Sequence, residues 1–165
     1  MRIAVCPGSF DPVTLGHLDI IRRSSKLFDQ VIVVVMVNYH KKDSSFTAEE
    51  RVELLQRCTG DIENIEIDTY NGLLADYTRD KGAVAIVKGL RAVSDFEYEF
   101  QQALTNKRLN SEVETIFITT SADNMFLSSS VVKQVCAFGG DISTFVPPEI
   151  REDIIRRLKQ GSTCL

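Results

Sequence analysis

The sequence holds no two cysteines close enough to grip a metal together. Cys6, Cys58, Cys136 and Cys164 lie far apart and form no CxxC pair, so neither a zinc site nor a redox motif is indicated, and the pattern suits a reducing cytosol. Long hydrophobic runs are also missing. The apolar stretch from Val31 to Val37 falls far below the length of about 20 residues that spans a bilayer, and Ile3 to Cys6 is too short for the apolar region of a signal peptide. The expectation is a cytoplasmic protein that engages no membrane. Basic residues are not in excess: 19 Lys and Arg against 23 Asp and Glu give a net charge of −4. That balance argues against a nucleic-acid-coating surface, and no nucleic-acid partner is expected. There is no low-complexity tract or long charge run to suggest disorder.

What is present is an ordinary globular composition, 44% hydrophobic and 25% charged over 165 residues. That is enough chain to bury a core without disulfides. One domain covering residues 1–165 is expected, with a frayed tail from about 161 to 165. Short β-branched runs alternate with amphipathic stretches. Arg2 to Cys6, Val31 to Val37, Ile65 to Asp68, Ala83 to Val87 and Glu114 to Ile118 read as strands. Between them the apolar residues recur at helical spacing, as in Leu18, Ile21, Ser25 and Phe28. Thr47-Ala48-Glu49-Glu50 forms a capping box at one helix start, and Gly82 reads as the glycine just past the end of the helix from Gly72 to Lys81. A helix from about Asp95 to Leu109 is expected to turn Phe96, Phe100, Ala103 and Leu104 inward. A last helix is expected to start at Pro147-Pro148-Glu149.

Five strands alternating with helices predict an α/β, Rossmann-like, doubly wound open sheet of five parallel strands with helices on both faces. Ligands of such sheets bind beyond the C-terminal strand ends, where strand order reverses. Four polar segments fall there: Ser9 to His17, Asn38 to Ser45, Lys88 to Arg91 and Thr119 to Ser130. They would line one cleft.

The most informative segment is Gly8-Ser9-Phe10-Asp11-Pro12-Val13-Thr14-Leu15-Gly16-His17, a strand end, a tight loop and a helix start. Backbone N–H groups, a hydroxyl and an imidazole converge there at the positive end of a helix dipole, a setting for a phosphate. Gly8 would let the backbone approach the ligand, and His17 can donate to a phosphate oxygen. Ser128-Ser129-Ser130 opens a helix through Val131, Val132, Val135 and Cys136, and Ser128 alone could be simply an N-cap. Lys41 and Lys42 alone could be a solvated basic pair, and Glu99, between Tyr98 and Phe100, fits a solvated helix face as readily as a binding role. Phe96, Phe100, Val131 and Val135 are expected in the core.

Together these strings resemble a known family. GSFDPVTLGH and LSSSVVKQV (Leu127 to Val135) are similar to the two signatures of the nucleotidyltransferase superfamily. NYHKK (Asn38 to Lys42), NGLLADY (Asn71 to Tyr77) and KGLRAVSDFEYEFQQA (Lys88 to Ala103) resemble bacterial phosphopantetheine adenylyltransferase, and the likeness runs from Ile3 to Leu158. It implies transfer of AMP from ATP to 4′-phosphopantetheine, giving dephospho-coenzyme A and pyrophosphate in the penultimate step of coenzyme A synthesis. It further implies magnesium bound with ATP, coenzyme A as a feedback inhibitor, and a homohexamer.

Carried over position by position, the resemblance makes Ser9, Phe10 and His17 ligands of the ATP phosphates, with Ser9 also near the acceptor phosphate. It implies that Lys41 reaches between acceptor and nucleotide, that Lys88 holds the acceptor phosphate, and that Arg91 holds the β- and γ-phosphates. His17, Lys41 and Arg91 are then the catalytic set. Gly89, Leu90, Glu99 and the run Asn124, Met125, Phe126, Leu127, Ser128, Ser129 and Ser130 match ATP-binding positions, and Leu74 matches one touching the pantetheine arm. No protein cage for the metal is implied. Two positions depart from the family pattern: Lys88 stands where arginine is common, and Asn124 where an aromatic residue is common. The nearest alternatives are a nicotinamide- or nicotinate-mononucleotide adenylyltransferase, a glycerol-phosphate cytidylyltransferase, or a non-catalytic nucleotide-binding module.

Overall fold

A computed structural model describes residues 1–37 and 44–160. Lys41 and Lys42, the rest of 38–43, and the tail 161–165 lie outside the described residues. The five strands are β1 (Ile3–Gly8), β2 (Gln30–Met36), β3 (Ile65–Tyr70), β4 (Ala85–Leu90) and β5 (Glu114–Thr119). They form one sheet in the order β3-β2-β1-β4-β5, with every neighbouring pair parallel. The six α-helices are α1 (Leu15–Ser25), α2 (Ala48–Thr59), α3 (Leu74–Asp80), α4 (Val93–Leu109), α5 (Ser129–Ala137) and α6 (Arg151–Gln160).

The apolar run of β2 explains its central place. Val31, Val33 and Val35 join a large core with Ile20, Leu55, Val132 and Ile154, contributed by α1, α2, α5 and α6. The alternate residues Ile32 and Val34 face the other way, towards Val5, Tyr77 and Ala83. Strand residues alternate between faces, so a strand apolar at every position must be covered on both. The cover is unequal, and the second face rests mainly on short α3 and on α4.

That inequality corrects one expectation. Phe96, Phe100 and Leu104 of α4 are 42%, 45% and 56% exposed, and Ala103 is only half-buried. Phe96 stacks on Phe100 and meets Phe117 edge-on, which makes an aromatic strip on the surface. Helical spacing marks a shared face but not what covers it. The C-terminal helix also starts later than expected, at Arg151. Pro147 to Ile150 forms a turn closed by Ile150 N–H donating to the Pro147 carbonyl. Gly82 does adopt positive φ (62°) just past α3, as its place after that helix requires.

β1 runs two residues further than the sequence suggests, through Pro7 and Gly8. Both stay in register with β2, at Val34 and Val35. With β4, however, β1 pairs only at Ala4 and Val5. Pro7 has no N–H to offer a second neighbour. β1 and β4 therefore part at the point where strand order reverses, and the gap between their ends becomes the cleft.

A buried carboxylate closes this region. Asp11, 6% exposed, accepts hydrogen bonds from the N–H groups of Ser45 (3.0 Å) and Phe46 (2.9 Å), and it pairs with the ammonium of Lys133 on α5. Arg51 of α2, also buried, donates to the Ser9 carbonyl at 2.9 Å. The β1–α1 loop is thus bound to α2 and α5 through charge. Asp11→Ala strands two amides and a cation, and should lower stability by about 3 kcal/mol in urea unfolding. Lys133→Met, which leaves both amide donors satisfied, should cost about 1 kcal/mol.

Candidate active site

The cleft has a volume of about 710 Å³ and runs from the parted ends of β1 and β4 along α4 towards the start of α3. Ser9, Phe10, His17, Leu74, Lys88, Gly89, Arg91, Glu99, Asn124, Leu127, Ser128, Ser129 and Ser130 all line it. Three of the four polar segments expected around one cleft are therefore brought together, and the fourth falls mainly on residues outside the described ones. Leu90, Met125 and Phe126 lie beside the cleft and are not among its lining residues. The Phe126 ring packs edge-on against Phe145.

Gly8 has a second task beyond the one its sequence position suggests. A Cβ there would come within 2.9 Å of the Phe10 ring, so the missing side chain also makes room for that ring, while Gly8 itself lines the cleft. Phe10 itself sits at φ 47° and is almost wholly buried. Its ring meets the His17 imidazole edge-on at 5.1 Å. Any contact from Phe10 to a phosphate must then come from its backbone.

His17 closes a capping box that the sequence reading missed. Thr14, the N-cap of α1, accepts from the His17 N–H, and the His17 side chain reaches back to the Thr14 N–H. The accepting atom is Nδ1, 3.0 Å from the Thr14 nitrogen. The signal was Thr14 three residues ahead of His17, with histidine where glutamate or glutamine is usual. An Nδ1 that accepts fixes the tautomer, and the neutral ring carries its proton on Nε2. Burial, reinforced by the nearby Arg91 cation, holds the His17 pKa down at about 4. The imidazole is therefore a neutral donor at neutral pH.

The cations are held differently. Arg91 donates to Asp95 (3.1 Å) and to the Leu127 carbonyl (2.9 Å), which ties the end of β4 to the residue before the serines. Lys88 lies 3.3 Å from Glu99. At the start of α5, the Ser128 hydroxyl accepts from the Val131 N–H, and the Ser129 hydroxyl donates to the Pro12 carbonyl at 2.8 Å. Two of the three serine hydroxyls are thus engaged, one in capping α5 and one in fixing the two motifs against each other. What the helix start still offers an anion is its unpaired first-turn N–H groups and the exposed Ser130. Gly89 admits α1 closely, since a Cβ there would lie 3.0 Å from Ile20. Asp11, Lys133 and Arg51 went unread in the sequence, because a contact between residues 122 positions apart leaves no local pattern.

The described residues contain no group of three or more His, Cys, Asp or Glu side chains able to hold a metal. Cys6, at the cleft floor, is pushed up to about 12 by burial and is no nucleophile at neutral pH. The site can therefore bind and align anions and donate hydrogen bonds to them. The depressed His17 pKa also has a thermodynamic sign. The unfolded chain takes up the proton near pH 6.5, before the folded protein does. The stability due to neutral His17 is thus complete above about 6.5 and is lost as pH falls towards about 4. Denaturant unfolding of the wild type should weaken over that window by about 2 kcal/mol relative to His17→Gln.

Residues 5–135 match the family model described as cytidylyltransferase-like. A phosphopantetheine adenylyltransferase of Clostridium botulinum (strain Eklund 17B / Type B) is 57% identical over 159 residues, covering 96% of this chain and 99% of that protein. The protein of that name from Caldanaerobacter subterraneus subsp. tengcongensis is 53% identical, covering 98% of this chain and all of its own. A solved structure from Vibrio parahaemolyticus, assigned as a nicotinate-nucleotide adenylyltransferase, superposes with a TM-score of 0.67 over 95% of this chain and 96% of its own. At 18% identity that likeness speaks for the fold alone. With more than half its residues identical to these relatives over nearly its whole length, the chain belongs to the phosphopantetheine adenylyltransferase family of the nucleotidyltransferase superfamily.

Proposed function

We propose that this chain transfers the adenylyl group of ATP to 4′-phosphopantetheine, releasing pyrophosphate and forming dephospho-coenzyme A. The observation that carries the reading is the neutral His17, whose Nδ1 is engaged by the Thr14 N–H so that the ring proton sits on Nε2, in one cavity with Lys88, Arg91 and the start of α5. The acceptor is already a phosphate anion. One of its oxygens attacks the α-phosphorus, the bond from that phosphorus to the bridging oxygen breaks, and the electron pair leaves with pyrophosphate. No proton need be removed from a nucleophile, so alignment and charge stabilisation suffice.

In this reading His17 donates to the α-phosphate, where charge builds, and acts neither as base nor as nucleophile. Arg91, already oriented by Asp95 and the Leu127 carbonyl, takes the β- and γ-phosphates with the first-turn amides of α5. Lys88 takes the acceptor phosphate, with Ser9 beside it and Leu74 along the pantetheine arm. Lys41 serves between the two substrates. Gly89 and the stretch Asn124 to Leu127 serve the nucleotide. Magnesium, when bound with ATP, would supply charge neutralisation on the polyphosphate, and Arg91 and the start of α5 would face the same phosphates.

The same reading extends to assembly and setting. The exposed strip of Phe96, Phe100 and Leu104 on α4 is an apolar surface suited to packing between copies in a homohexamer. Buried free thiols at Cys6, Cys58 and Cys136 suit the cytoplasm. Coenzyme A, which carries the pantetheine arm and adenosine of the product, is the expected feedback inhibitor.

Pyrophosphate release from ATP and 4′-phosphopantetheine tests the activity. His17→Ala should slow it at least about 100-fold, the scale of losing one charge-stabilising donor. Lys88→Ala should lose far more activity than Lys88→Arg, and equal rates in the two variants would remove Lys88 from the site. Adenylation of nicotinate mononucleotide with none of phosphopantetheine would overturn the reading altogether. Phe96→Glu with Phe100→Glu should shift the protein from hexamer to smaller species in sedimentation equilibrium, with its circular dichroism unchanged.

A further inference from the structure

Lys88 already has an anion. Its ammonium stands 3.3 Å from Glu99 Oε2, with the two side chains 22% and 21% exposed. That same oxygen is sealed from solvent and has no hydrogen-bond partner among the described residues. The pair is therefore held by charge without an aligned hydrogen bond, and an oxygen so placed is poorly compensated for its lost water. The neighbouring cation, Arg91, donates instead to Asp95 and the Leu127 carbonyl. Glu99 leans into the cleft from the second turn of α4, on the Lys88 side.

We propose that Glu99 is a resident counter-anion of the acceptor-phosphate subsite. It occupies Lys88 while the site is empty and yields it to the phosphate of the acceptor, and so tunes acceptor affinity as a positioning residue. This rests on Lys88 being the acceptor-phosphate residue. A phosphate close enough to bond the Lys88 ammonium also lies within a few ångströms of the Glu99 carboxylate, and in a partly dry cleft such like charges repel strongly. Part of the attraction between Lys88 and phosphate is thus spent on separating the pair.

The test uses the full-length protein without nucleotide and inorganic phosphate as the probe, titrated by calorimetry, together with KM values for both substrates. Glu99→Gln keeps the shape and removes the charge. It should bind phosphate about 10-fold tighter and lower the acceptor KM by a similar factor. Glu97→Gln, on the exposed side of α4, changes the net charge equally and should alter neither. Weaker phosphate binding in Glu99→Gln, or a raised ATP KM with acceptor KM unchanged, would overturn the proposal. If adding Lys88→Ala to Glu99→Gln leaves phosphate affinity unaltered, the probe sits elsewhere. The assignment of Lys88 itself then fails, and the proposal with it.

Discussion

The buried Asp11 carboxylate is the contact on which the site depends. It sits in the loop between β1 and α1, accepts from the amides of Ser45 and Phe46 ahead of α2, and pairs with Lys133 of α5. Two segments that line the cleft are thereby fixed to each other and to the chain entering α2. A charge taken out of water is tolerable only when its partners are complete. The loop can therefore hold one arrangement well and others badly, and that selectivity is what a site working by alignment requires.

The cleft arises from a mismatch in strand pairing. β1 remains with β2 to Gly8 but leaves β4 after Val5, so the opening lies at the switch point with a loop on either side. Into it project groups that differ in freedom. Arg91 is tethered at both its ends, and Lys88 is held by charge to Glu99. The serines divide their hydroxyls between capping α5 and clasping the Pro12 carbonyl. The surface left for an anion consists mostly of donors whose direction is set before any ligand arrives, the condition under which electrostatic stabilisation is most effective.

Much of this was legible in the sequence, for identifiable reasons. Strands and their order of appearance follow from apolar periodicity, and the polar residues after each strand mark the ligand end of a parallel sheet. The orientation of α4 was not legible. Phe96, Phe100 and Leu104 have the same spacing whether they face a core or the outside, and only the thin cover of the second sheet face decides between them. The roles of Gly8 and Asp11 were hidden for another reason. One depends on where the Phe10 ring folds back, and the other on a partner 122 residues away. Local pattern contains neither. Thr14 and His17 were within reach, since their three-residue spacing is that of a capping box with an unfamiliar second member.

Gly8, Phe10 and His17 form a column in which the strand backbone supports an aromatic ring and the ring supports an imidazole. The imidazole is braced again from the side by the Thr14 amide. His17 belongs to a loop–helix junction in sequence, yet mechanically it rides on the central strand of the sheet. Its position is then set by packed core and not by the surface course of the loop. Opening or closing of the segments around the cleft would leave this donor where it is, so substrates arrive at a fixed point of reference.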